Sequence, residues 1–252
     1  MQRYFIPPER FDDKHVHISG DDAYHLIRVM RAKPGDQAIC CDGSGREALV
    51  TITELEKDTV TAEIAEWIDS DREPALAVTV AQSLPKGDKM ETVIQKCTEI
   101  GAVRFIPFLS GRTIVQYDAR KEAKRLERWN KIAKEAAEQA HRSRVPAVEA
   151  AIGWTELLRA GEQYDQVLFC YEKPGSLPLR TALRSLGDSG GRFGEAVLLV
   201  IGPEGGFTER EAADAEQAGW TTVGLGKRIL RTETAAMVGL TCLLYETGEM
   251  GG

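Results

Sequence analysis

Two glycine-rich turns near the C-terminus, each entered from an apolar run and each left into a helix-like segment, limit what this chain can fold into more than any other feature. Residues 197–201 are five consecutive apolar side chains, three of them β-branched, the pattern of a strand buried on both faces of a parallel sheet. The first turn, Ile201-Gly202-Pro203-Glu204-Gly205-Gly206-Phe207, follows. Thr208 and Glu211 then form a capping box, and Gly219 stops the helix it opens. A strand over 221–225 leads into the second turn, Leu225-Gly226-Lys227-Arg228-Ile229-Leu230-Arg231-Thr232-Glu233-Thr234-Ala235. Thr232 is the expected cap of a last helix reaching about Glu246. Turns of this kind at the carboxyl ends of strands are where open α/β sheets build ligand sites.

The remaining chain reads in two grammars. Residues 1–72 are short strands, with β-branched, alternating segments at 37–41, 47–55 and 59–67 and turns at Asp42-Gly43-Ser44-Gly45 and Lys57-Asp58. A helical turn over 21–31 carries His25, Arg28 and Arg31, and a small β-barrel is the expected result. Residues 69–74 are polar and end in Pro, which suits a linker. From 73 to 252 strands at 76–81, 103–109 and 166–171 alternate with helices at 87–100, 119–140 and 179–186, so the fold class is α/β with a mostly parallel sheet covered on both faces.

Five cysteines without CxxC spacing and four dispersed histidines predict reduced thiols and no metal. No apolar run approaches the roughly 20 residues of a membrane span, and residues 1–5 look like a strand rather than a signal peptide, so no membrane association and a cytoplasmic location are expected. The net charge of −7 argues against a nucleic-acid partner, yet between Arg104 and Arg144 stand 11 basic and five acidic residues, a local net of +6. That stretch is either a basic face or a solvated helix laced with i,i+4 pairs; charge alone leaves both open.

Glycine turns at helix N-termini bind phosphates, but Glu204 would repel one, and neither turn matches the phosphate-loop or dinucleotide patterns. A ligand without phosphates, held by main-chain groups, fits better. Arg231 is either a contact to a reacting anion or a salt bridge to Glu204 or Glu233; Glu204 is either a substrate contact or a dipole contact at a helix start.

Taken together, the two turns resemble the SPOUT class of knotted methyltransferases, and are most similar to the RsmE family, which methylates N3 of a uridine in 16S ribosomal RNA. Tyr24-His25-Leu26-Ile27-Arg28-Val29-Met30-Arg31, Lys86-Gly87-Asp88-Lys89-Met90-Glu91, Gln95-Lys96-Cys97-Thr98-Glu99-Ile100-Gly101 and Glu138-Gln139-Ala140-His141-Arg142-Ser143-Arg144-Val145-Pro146 are similar to further family blocks, so the likeness spans nearly the whole chain. It implies a PUA-like RNA-binding domain over 1–72, a methyltransferase domain over 73–252 tied in a deep trefoil knot, a homodimer, 16S rRNA of the small subunit as partner, and S-adenosylmethionine as cofactor. The implied cofactor loops bring together Phe169, Cys170, Tyr171 and Glu172; Val200, Ile201, Gly202, Pro203, Gly205 and Gly206; and Leu225, Gly226, Ile229, Leu230, Thr234 and Ala235. Arg231 and Glu204 are the catalytic candidates. Arg3, His25, Arg28, Arg31, Gln139, Arg142 and Arg144 are the RNA-binding candidates. A related SPOUT enzyme acting on another nucleotide, or a non-catalytic RNA-binding protein of this fold, are the alternatives.

Overall fold

Apolar residues at every second position build the first sheet. In the computed structural model, which describes residues 1–69, 72–114, 119–173, 176–188 and 196–251, the chain divides into two units. Met1–Glu73 with Ala137–Val145 form one, and Pro74–Ala136 with Pro146–Gly252 the other. The first holds β1 (Arg3–Phe5), β2 (His15–Ser19), α1 (Gly20–Tyr24), a π-helical turn over His25–Val29, β3 (Gln37–Cys41), β4 (Glu47–Leu55) and β5 (Thr59–Ile68). Among the described residues these strands make a five-stranded sheet in the order β1-β3-β4-β5-β2, antiparallel except for β1 beside β3. Val16 and Ile18, Val50 and Ile52, and Val60 and Ala62 all point inward onto Tyr4 and Leu26, as period-two strands require. Register shifts between β4 and β5 at Leu49/Val50 and Ile52/Glu54 add the twist that curls the sheet about this core.

The expected linker is anchored at its end. Glu73 accepts hydrogen bonds from Arg142 Nη2 at 2.5 Å and from the N–H groups of Ser143 and Arg144 at 2.9 and 3.1 Å. Residues 137–145 therefore return to the first unit, a long-range contact that spacing did not reveal.

The second unit contains β6 (Ala77–Ser83), α2 (Lys89–Ile100), β7 (Arg104–Leu109), α3 (Ala119–Gln139, whose last three residues belong to the first unit), β8 (Ala147–Val148), β9 (Ile152–Gly153), α4 (Trp154–Gly161), β10 (Gln166–Cys170), β11 (Leu177–Pro178), α5 (Leu179–Asp188), β12 (Ala196–Ile201), α6 (Glu209–Gln217), β13 (Thr221–Gly224) and α7 (Thr232–Glu246). The described strands form an eight-stranded, wholly parallel sheet in the order β11-β13-β10-β12-β6-β7-β8, with β9 beside β7. Its centre, β12, is buried throughout its apolar run, as a strand covered on both faces must be. An aromatic cluster of Phe108, Trp154, Phe169, Phe207 and Trp220 fills one side, with Phe169 and Phe207 ring centroids 4.2 Å apart. The capping box forms at α6 as expected: Glu211 N–H donates to Thr208 Oγ1 and Thr208 N–H to Glu211 Oε2. Among the described residues no helix is long and apolar enough to cross a membrane.

Candidate functional site

Parallel strands end together, so the loops after β10, β12 and β13 converge on one rim. They enclose a cavity of about 500 Å³, a volume suited to a small organic ligand. Gly202 opens the first wall. A Cβ there would lie 2.9 Å from the Phe207 ring, so only glycine lets the chain pass over that ring and keep its peptide groups at the cavity. Gly226, at φ +128°, makes the corresponding bend in the second wall.

Of the expected cofactor contacts, Cys170, Tyr171, Glu172, Ile201, Gly202, Pro203, Gly206, Leu225, Gly226, Ile229, Leu230 and Ala235 line this cavity. Phe169, Val200, Gly205 and Thr234 do not. Phe169 and Val200 are fully buried in the aromatic cluster because strand side chains alternate; Cys170 and Ile201, one residue on, face the cavity instead. Burial pushes the Cys170 thiol up to about 12, which keeps it a neutral wall at physiological pH. Arg228 and Thr232 of the second turn line it too, with the catalytic candidates Glu204 and Arg231; Lys89, Phe207 and Val223 complete the lining and were not assigned there from the sequence.

Thr232 is a correction. It begins α7 rather than capping it; Arg231 holds the cap position, without a side-chain cap hydrogen bond. The Thr232 hydroxyl instead donates to the Gly202 carbonyl at 2.6 Å and accepts from Gln82 Nε2 at 2.8 Å. Amide nitrogen can only donate, so the direction of this relay is fixed: Gln82 on β6 to the start of α7 to the first glycine turn. It ties the two walls together from beneath.

A second tie runs across the rim. Lys89 Nζ lies 2.8 Å from Glu204 in the first turn and 3.7 Å from Glu233 after the second. Burial pushes the Glu204 carboxyl up, but the Lys89 hydrogen bond and the N–H groups of Glu204 and Lys86 outweigh it and hold the group below the ordinary glutamate range. With Lys89 occupying both carboxylates, Arg231 is exposed at the cavity and has no ion pair among the described residues. The salt bridge considered for Arg231 is thus made by Lys89.

The RNA-binding candidates lie in the first unit and separate by burial. Arg28, Arg31, Gln139 and Arg144 are exposed. His25 Nδ1 sits 2.8 Å from the Tyr4 hydroxyl. Arg3 and Arg142 are corrections: they are only 5% and 4% exposed, Arg3 paired with Glu47 at 2.6 Å and Arg142 with Glu73. Guanidinium groups so enclosed hold the unit together and are not presented to a phosphate. Among the described residues no cluster of His, Cys, Asp or Glu could hold a metal ion.

A parallel α/β unit with a glycine-walled pocket at its carboxyl rim is the architecture of a small-ligand-binding enzyme, and the family matches define its class as RNA-modifying. Residues 72–244 match the RNA methyltransferase domain and residues 18–65 the RNA methyltransferase PUA domain. The ribosomal RNA small subunit methyltransferase E of Bacillus subtilis is 40% identical, covering 100% of this chain and 99% of its own. That of Synechocystis is 34% identical over 94% of this chain and 75% of its own. The chain belongs to the ribosomal RNA small subunit methyltransferase E family. Among solved structures, the family member from Neisseria gonorrhoeae bound to S-adenosylmethionine superposes with a TM-score of 0.83 at 34% identity over 97% of each chain. A Legionella pneumophila protein, solved with S-adenosylmethionine as bound cofactor, gives 0.84 at 29% identity over 97% of each.

Proposed function

We propose that this protein transfers a methyl group from S-adenosylmethionine to N3 of a uridine in 16S ribosomal RNA of the small subunit. The observation that carries the reading is the cavity between the two glycine turns, whose walls offer main-chain groups and whose rim offers an unpaired Arg231. The residues fit the cofactor: Gly202 keeps the first wall open, and Leu225, Ile229 and Leu230 supply apolar surface. Leu225–Leu230 and Ile201–Gly206 would hold the cofactor. When bound, it supplies an electrophilic methyl group on a sulfonium.

The rest of the chemistry falls to this chain. Methylating a ring nitrogen requires alignment with the methyl group, which rigid loops provide; the Gln82–Thr232–Gly202 relay and the Lys89 clasp fix those loops against each other. N3 gives its proton to solvent water as the N–CH3 bond forms and the S–CH3 bond breaks, and the Arg231 guanidinium stabilises the negative charge that develops on the uracil. Glu204, bound to Lys89 and held below the ordinary glutamate range, is a poor proton acceptor at neutral pH and serves to orient Lys89 and the base. The trefoil knot and the homodimer implied by the family resemblance, and the cytoplasmic location expected from the sequence, belong to the same proposal.

The test is incubation of small ribosomal subunits lacking the modification with protein and cofactor, followed by nucleoside mass spectrometry and mapping. One 3-methyluridine per 16S rRNA is expected. A ribose 2′-O-methyl product, or no product where a verified family member gives one, overturns the proposal.

A further inference from the structure

The rim that bears the methyl-transfer cavity bears a second hollow, of about 380 Å³, between the loop after β6, the start of α2 and the first turns of α3. Its charged lining is Lys124, Arg125 and Arg128 against Asp88 and Glu91. Arg128 is committed, its Nη2 lying 2.6 Å from Glu91. Lys124 and Arg125 have no ion-pair partner among the described residues and sit about one turn from Arg128 on the helix; with only Asp88 left against them, the hollow keeps a net charge of +1. In a chain of net charge −7, such a concentration attracts anions where the rest of the molecule repels them.

Its place on the rim says which anion. The segment from Leu84 to Glu91 is the ridge between the two hollows: Lys89 faces the first, and Asp88 and Glu91 face the second. The ridge is braced to the first glycine turn by Lys86 N–H and Lys89 Nζ, both on Glu204 Oε1, at 3.2 and 2.8 Å. A polynucleotide whose target base enters the first hollow must continue over the rim, and in this direction it crosses a fixed ridge into the groove of Lys124 and Arg125. Trp129, 8% exposed, gives the groove an apolar floor.

We propose that this groove binds the sugar-phosphate backbone of the substrate RNA next to the target nucleotide, through Lys124 and Arg125. The inference rests on the function proposed above and adds where the flanking strand runs. Backbone contacts of this kind fix register on the enzyme and carry no base specificity.

The test uses the full chain with Lys124→Glu and Arg125→Glu together, and a charge-conserving Lys124→Arg/Arg125→Lys control. Fluorescence anisotropy with labelled 16S rRNA transcript is measured across a salt series, and S-adenosylmethionine binding by calorimetry. The reversal is expected to weaken RNA binding at least about tenfold at ~100 mM salt and to lower the salt slope by about 1.4 to 1.8, two phosphate contacts' worth. Cofactor affinity should stay within about twofold, and the control should bind RNA like the natural chain. Unchanged RNA affinity and slope overturn the inference, as does a loss of cofactor affinity that parallels the loss of RNA. Saturable binding of inorganic phosphate or ATP that the reversal abolishes while RNA affinity is untouched also overturns it, since the groove would then hold a free anion. A natural chain that methylates no rRNA while the reversal still weakens RNA binding would defeat the proposed function and leave the groove standing.

Discussion

Replacing Thr232 by Val keeps the shape of the side chain and removes the one hydroxyl that joins the two cavity walls. Thr232 is 5% exposed, and its oxygen serves both Gln82 Nε2 and the Gly202 carbonyl. Gln82 keeps its bond to the Ser83 carbonyl at 2.9 Å but loses its second donor's partner, and Gly202 loses its only described acceptor role. A buried polar group left without a partner costs about 1–3 kcal/mol. Gly202 is only half-buried and can turn its carbonyl towards solvent in the cavity, so the expected sum is about 2–3 kcal/mol, near the lower end. For a protein of this size each kcal/mol lowers Tm by ~2–4 °C, so a fall of about 5–10 °C is expected in differential scanning calorimetry. The same carbonyl rotation spoils the wall that holds the cofactor, and S-adenosylmethionine affinity should drop about tenfold, one hydrogen bond's worth. Thr232→Ser, which keeps the hydroxyl, should restore affinity and most of the Tm. A Val variant within about 0.5 kcal/mol of the natural chain, with unchanged cofactor affinity, would refute the relay.

Arg231→Ala removes the charge that faces the developing uracil anion; kcat should fall about 10²–10³-fold while cofactor affinity holds, as single-turnover kinetics would show. Lys89→Met releases Glu204 and Glu233 together, so kcat should drop with little change in Tm, and a variant as active as the natural chain would remove the clasp from the account. Glu73→Gln removes the carboxylate charge from its pair with Arg142 while keeping an oxygen that can accept, and should destabilise by about 1–3 kcal/mol in urea titration, the range for weakening a hydrogen bond to a charged group. The pH dependence has a definite sign. Burial pushes the Glu73 carboxyl up, but Arg142 and the N–H groups of Ser143 and Arg144 outweigh it and hold the group below its ordinary 4.5. Its contribution is therefore full above about pH 4.5 and is lost as pH falls through the lowered folded value, and Glu73→Gln should flatten that acid limb.

What the sequence made legible was local. The capping box of Thr208 and Glu211 lies within four residues, and the strands at 37–41 and 47–55 follow from alternation alone; each forms as read. The parallel sheet and the convergence of both glycine turns on one cavity follow from the order of elements. What was missed depends on partners far along the chain. Thr232 looks like a cap because its true acceptor, Gly202, lies 30 residues away and its donor, Gln82, lies 150 away. Lys89 stands in a motif without an evident role until the fold sets it beside Glu204, 115 residues on. Arg3 and Arg142 look like surface cations because nothing local announces Glu47 and Glu73. The two-residue strands β8, β9 and β11 are too short for any periodicity to register.

Whether the two glycine turns form the cofactor site is decided by calorimetric titration with S-adenosylmethionine, run on the natural chain beside Gly202→Ala. The natural chain should bind one cofactor per chain and give no heat with ATP. The alanine variant, whose Cβ would stand 2.9 Å from the Phe207 ring, should remain folded by circular dichroism and lose at least about tenfold in affinity. No cofactor binding by the natural chain, or undiminished binding by the folded variant, would contradict the claim.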